Sequence, residues 1–180
     1  MKFSLKKRQS GFTLVELGIV VAIAAIIIGI GLVVVPSILA STRANAEISE
    51  LPTITTKIQR AYANQPNFAA LTQAGIVNLN VFPESVVNKT AGTIANRWGG
   101  AVTIAPATLK QANDAVAITS ADIPTAECLQ IGQGVEGAMR KITVGTTVVK
   151  ADGVSAADPA ALGTACNAAA TVSMIFTFGK

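Results

Sequence analysis

The chain has 180 residues, 51% of them hydrophobic and only 13% charged, with two cysteines and no histidine. That length holds one compact domain plus a long extra segment, and the lack of histidine removes the commonest general base and metal ligand. The net charge of +4 sits in Lys2, Lys6, Lys7 and Arg8; beyond Gly11 basic and acidic side chains balance at ten each, so the charge excess does not support a nucleic-acid surface.

The first element is an apolar run from Phe12 to Val35, interrupted by a single charge, Glu16. As a helix rising ~1.5 Å per residue it is long enough for a hydrocarbon core of ~30 Å. The basic residues ahead of it fit a cytoplasmic flank. An ordinary secretory signal fits poorly, because its apolar stretch is shorter and ends in a small-residue cleavage site; the nearest such site, Ala44-Asn45-Ala46, lies well past the end of the run. A simple uncleaved anchor accounts for the hydropathy but not for Glu16.

Lys6-Lys7-Arg8-Gln9-Ser10-Gly11 followed by Phe12-Thr13-Leu14-Val15-Glu16 resembles the type III signal of type IV prepilins and related pseudopilins. The resemblance implies that residues 1–11 are a leader carrying the basic Lys2, Lys6, Lys7 and Arg8. A prepilin peptidase would cut between Gly11 and Phe12 and methylate the new amine of Phe12. It also implies an assembly role for Glu16. The physics agrees: a carboxylate in apolar surroundings is costly unless paired, and the cationic Phe12 terminus of a neighbouring subunit is a suitable partner. A subunit one step out of register leaves a buried charge unmatched.

Residues 12–36 are then the membrane or filament-core helix. Gly29, Gly31 and Pro36 interrupt its helical character, since glycine weakens a helix by ~1 kcal/mol and proline removes a hydrogen bond. As in some pilins, this stretch is a candidate for local melting when the helix leaves lipid. Residues 37–66 continue as an amphipathic helix, with Ile48, Leu51, Ile54, Ile58 and Tyr62 at helical spacing. Pro52 is expected to kink it, and Asn64-Gln65-Pro66 to end it.

Residues 67–180 are expected to form an α+β head, with the long helix packed on an antiparallel sheet. An irregular connection with a short helix or two fills 67–100. Asn96-Arg97-Trp98-Gly99-Gly100 resembles the turn ahead of the first sheet strand in several pilins, with Trp98 as a structural plug. Residues 101–104 and 115–119 read as strands, 126–140 as a helix carrying Cys128, 142–144 and 146–149 as strands around Gly145. Residues 151–170 read as a polar loop containing Cys166, and 171–178 as a half-buried strand with Val172, Met174, Phe176 and Phe178 on one face. An even cysteine pair in an exported chain suggests a Cys128–Cys166 disulfide, the alternative being two buried thiols. The late pair followed by a strand resembles the disulfide-bounded region of type IV pilins, and the helix between the cysteines leans towards the type IVb group, although the short leader and Phe12 are type IVa traits.

Other chemistry is not expected. Gly132-Gln133-Gly134-Val135-Glu136-Gly137 matches G-x-G-x-x-G but lacks the parallel βαβ context that seats a pyrophosphate. Asp152 and Asp158 are too few for a Ca²⁺ site, and Asn88-Lys89-Thr90 is weak evidence of glycosylation. The resulting expectation is a non-enzymatic pilin subunit without catalytic residues, metal or cofactor, and with no nucleic-acid site. Its partners are copies of itself, the prepilin peptidase, an inner-membrane assembly platform and, before assembly, lipid. It starts in the inner membrane and ends in an extracellular fibre on a Gram-negative cell, serving adhesion, aggregation, motility or DNA transfer. The alternative is a type II secretion pseudopilin with the same N-terminus.

Overall fold

The computed structural model describes residues 13–180, which fall into two compact units divided between Leu39 and Ala40. Helix α1 spans Leu14–Ala61. Thr13 opens it: its hydroxyl accepts the Glu16 N–H at 3.2 Å and its carbonyl the Leu17 N–H at 3.1 Å. This is the first half of a capping box, with glutamate at the third helical position. Pro36 and Pro52 both lie inside α1. Hydroxyls along the helix back-bond to carbonyls, Ser37 to Val34 at 2.8 Å, Thr55 to Leu51 at 2.9 Å and Thr56 to Pro52 at 2.9 Å, so these side chains satisfy their polarity within the helix.

In the second unit the apolar stripe of α1 is buried. Ala44, Leu51, Ile54 and Ile58 are closed off from solvent, and Ile48 and Tyr62 are partly so. The helix packs on a seven-stranded antiparallel sheet: β1 (Val87–Asn88), β2 (Thr93–Ala95), β3 (Ala101–Ala107), β4 (Ala115–Pro124), β5 (Lys141–Val144), β6 (Thr147–Lys150) and β7 (Thr171–Gly179). The spatial order is β1-β2-β3-β4-β7-β5-β6, which seats the C-terminal strand near the centre. Cross-strand rows build the core: Ile104, Ile118, Phe176 and Ile142 stand in register across four strands, and so do Val102, Ser120, Met174 and Val144. Alternation along each strand sends these residues to one face. The second row accommodates the hydroxyl of Ser120 because Asn96 Nδ2 donates to it at 2.9 Å.

Sheet edges and turns are closed by side chains. Where the three-residue β2 stops, Gln73 replaces a strand: its Nε2 donates to the Val102 carbonyl at 3.0 Å and its Oε1 accepts the Ile104 N–H at 2.7 Å, which masks part of an open edge. The Asp114 carboxylate accepts the N–H groups of Leu109, Lys110 and Gln111 at 2.7–2.9 Å, and these donors hold it below the ordinary carboxylate range. Gly145, at φ +57°, turns the β5–β6 hairpin.

Four expectations are corrected. The helix expected over 126–140 is α3, Thr125–Gly134. Its glycines are poor helix formers, and past Gly134 the ammonium of Lys150 on β6 takes the carbonyls of Glu136 and Met139, which fixes a turn in place of further helix. The loop expected over 151–170 contains helix α4, Pro159–Cys166. Asp158 caps it, accepting the N–H of Ala160 at 2.9 Å and of Ala161 at 3.3 Å, and Pro159 starts it with a preset φ. The turn at 96–100 does not precede the first strand: β1 and β2 come before it. The connection before it holds helix α2, Gln73–Asn78, as expected, and a 3-10 turn over Glu84–Val86. The long helix ends at Ala61, a few residues before the polar stretch expected to stop it.

Candidate assembly segment and head region

Among the described residues of the first unit no side chain is classed as buried. Leu14 is 89% exposed, Leu32 74%, and Ile19, Ile26, Ile27, Ile28 and Ile30 lie between 57% and 65%. The helix is long and apolar enough to cross a membrane by length and composition. An apolar surface of this extent marks a face that meets lipid or protein. Glu16 stands in the first turn of α1 as the one acid among the described residues of the first unit, solvent-exposed. Gly29, Gly31 and Pro36 lie in helical backbone. A Cβ at Gly29 or Gly31 would meet nothing within 4 Å, so no contact among the described residues requires glycine there. Lys2, Lys6, Lys7, Arg8, Gly11 and Phe12 lie outside the described residues.

The head is stapled where the sequence placed the staple. Cys128 on α3 and Cys166 at the end of α4 are bonded, with Cα atoms 5.8 Å apart and both residues fully buried. The loop they close contains β5, β6 and α4. Closing a loop of this size removes about 4 kcal/mol of chain entropy from the unfolded state. Two of the G-x-G-x-x-G glycines, Gly132 and Gly134, serve packing. A Cβ on Gly132 would stand 2.7 Å from Leu162 Cδ1, and one on Gly134 2.5 Å from Ile48 Cδ1. Their bareness lets α3 approach α4 and α1 closely. Asp152 is held by Arg140 in a two-pronged pair at 2.8 and 3.1 Å, and Asp158 is the α4 cap. Among the described residues no group of three or more candidate metal ligands occurs. Asn88 Oδ1 accepts the Ala91 N–H at 3.0 Å within the β1–β2 hairpin.

The Asn-x-Trp-Gly-Gly segment is a built corner between β2 and β3. Asn96 Oδ1 accepts the N–H groups of Trp98 at 3.0 Å and Gly100 at 2.8 Å, and its Nδ2 donates to Ser120 and to the Ala121 carbonyl. Gly99 takes φ +85°. A Cβ on Gly100 would lie 2.1 Å from the Ala121 oxygen, a close backbone approach that only glycine permits. Trp98 is half-buried against the core, its Nε1 3.4 Å from Glu127 Oε1.

The corner also carries a feature that residue patterns did not isolate. Arg97 reaches α1, 2.6 Å from Glu50 Oε2 and 3.9 Å from Glu47 Oε2. Both carboxylates are largely covered, at 18% and 13% side-chain exposure. Burial, with the neighbouring Glu50 charge adding and Arg97 opposing, pushes the Glu47 carboxyl up from 4.5 to about 7. The i, i+3 spacing of the two acids was visible; the arginine that joins them is remote in sequence.

A long N-terminal helix with a bare apolar first half and a lone acid, braced on an antiparallel sheet whose C-terminal region is closed by a disulfide, defines a type IV pilin. Comparison narrows this. The family model described as PilS N terminal matches residues 41–178, and the prokaryotic N-terminal methylation motif matches residues 6–32. The chain belongs to the PilS family and is a type IVb-like pilin, a pilus subunit carrying the motif for prepilin processing. It is 24% identical to the major structural subunit of bundle-forming pilus from Escherichia coli O127:H6, over 99% of this chain and 98% of that one. A second such subunit, from Escherichia coli O111:H-, is 27% identical over 59% of this chain and 55% of its own length. The crystal structure of the type IVb pilin from Salmonella typhi superposes with a TM-score of 0.59 at 18% identity, covering 76% of this chain and 99% of that one. The pilin TcpA from Vibrio cholerae El Tor does so at 0.53 and 16%, covering 74% and 99%. These findings favour a pilin over the pseudopilin alternative.

Proposed function

We propose that this chain is a non-enzymatic filament subunit, cut between Gly11 and Phe12 by a prepilin peptidase, methylated on the Phe12 amine, and polymerised through residues 12–36. The observation that carries the reading is the bare apolar half of α1 with Glu16 as its one acid among the described residues. In the inner membrane, lipid covers that surface; in the fibre, like helices replace lipid, and association rests on packing and on polar pairing. Glu16 then supplies a carboxylate in a low-dielectric bundle. The methylated amine of the adjacent subunit keeps its charge and neutralises it, so each incoming chain is held at one axial step.

Leader residues Lys2, Lys6, Lys7 and Arg8 keep the precursor's start on the cytoplasmic side and depart with cleavage. An inner-membrane assembly platform lifts each subunit out of the bilayer. Gly29 and Gly31, which serve no close contact among the described residues, together with Pro36, give the helix a stretch that melts at low cost during that transfer. The head, with its Cys128–Cys166 bond, faces outward in the extracellular fibre.

Intact-mass measurement on the fibre form tests the processing. The expected mass is that of residues 12–180 with one methyl group and one disulfide. A fibre subunit still beginning at Met1, unmethylated, overturns the reading.

A further inference from the structure

The Glu47, Glu50 and Arg97 cluster is unbalanced. Two carboxylates one helical turn apart share a single guanidinium, and Glu50 engages it while Glu47 stays 3.9 Å away. Glu50 Oε1 is buried with no hydrogen-bond partner among the described residues. The cavity beside them, bordered by Ile54, Phe82 and Val86, has a volume of about 20 Å³, room for about one water and too little for a lysine or arginine of another molecule. A proton needs no room at all and neutralises a carboxylate directly.

We propose that Glu47, Glu50 and Arg97 form a proton-responsive strap that ties the corner between β2 and β3 to helix α1, tight when one carboxyl is protonated and loosened when both are charged. With Glu47 neutral, Glu50 and Arg97 make a balanced pair. With Glu47 ionised, the cluster carries one uncompensated negative charge under cover, which is costly.

Among the described residues, Glu50 and Arg97 are the charges that act on Glu47; Lys57, further along α1, donates to the Val81 carbonyl at 3.1 Å. Arg43, one turn earlier on α1, is solvent-exposed. On the 82–89 segment, Lys89 and Glu84 pair with each other at 2.8 Å in solvent. On α3, Glu127 is a further acid, directed at Trp98 Nε1. The sign follows from proton binding. In the folded chain Glu47 keeps a proton up to about pH 7, whereas the unfolded chain loses it near 4.5. Stability therefore falls as pH rises through that window and levels off above it. The difference corresponds to a decrease in the folding constant on the order of a hundredfold.

The test uses the full chain in detergent micelles and does not depend on cleavage or filament growth. Thermal unfolding is followed from pH 4.5 to 8.5 for the wild type and for Glu47→Gln, which mimics the protonated acid. The wild type is expected to lose stability between pH 5 and 7, and the variant to hold steady there and to unfold at a higher temperature than the wild type at pH 8.5. Parallel curves overturn the proposal. Trp98, the sole tryptophan, provides a second readout in the wild type alone: its emission is expected to shift with a midpoint near pH 7. A midpoint near the ordinary carboxylate value, or no shift, overturns the proposal even if the variant fails to fold.

Discussion

Residues 14–39 and residues 40–180 solve the same problem in opposite ways. Both are rich in Ile, Val, Leu and Ala. In the head these side chains are enclosed by other parts of the same chain: Phe176, Ile118 and Ile142 stand in one cross-strand row under the stripe of α1, and each is at most 1% exposed. In the first unit, Ile27 is 65% exposed and Ile28 62%. One region finishes its core by itself; the other needs surroundings to do so. Folding and assembly are thus assigned to separate stretches, and a substitution should tell them apart.

Paired truncations sharpen that contrast most. Phe176→Ala should destabilise the head by about 3–5 kcal/mol, visible as a large fall in its melting temperature. Ile27→Ala removes a similarly apolar side chain but should move head stability by no more than about 0.5 kcal/mol, its effect appearing in fibre yield. Equal losses of head stability would erase the distinction. Next, replacing Cys128 and Cys166 by Ser together should cost about 4 kcal/mol in denaturant unfolding while leaving membrane insertion unchanged. A smaller effect is expected at the Asn96 corner. Gly100→Ala forces a Cβ against the Ala121 carbonyl and should cost about 1–3 kcal/mol. The same change at Gly31, where a Cβ meets nothing, should leave the head unaltered.

Legibility in the sequence divides along the same line. Features carried by long periodic patterns were readable: the apolar run with Glu16, the Leu51-Ile54-Ile58 stripe, the alternation of β7, and β3 and β4. The cysteine pair was readable because exported chains use such pairs. Features that depend on partners remote in sequence were not. The strands β1 and β2 have only two and three residues, too short for alternation to register. The end of α3 depends on Lys150 arriving from β6, and the strap depends on Arg97 meeting Glu50, 47 residues earlier, and Glu47 beyond it. Helix α4 was hidden by its small residues, although Asp158-Pro159 is a legitimate start signal. Thr13 and Glu16 likewise have capping-box spacing, overshadowed by the role the resemblance gave to Glu16.

The proposed role of Glu16 lies between molecules, since within its own chain its side chain is solvent-exposed and only its backbone N–H takes part in the Thr13 cap. Glu16→Ala, expressed in place of the wild type and scored by shearing surface fibres and imaging them, is the direct test. The expected result is a normally inserted, cleaved, correctly folded subunit with few or no fibres. Fibres of normal number and length from that variant would contradict the account.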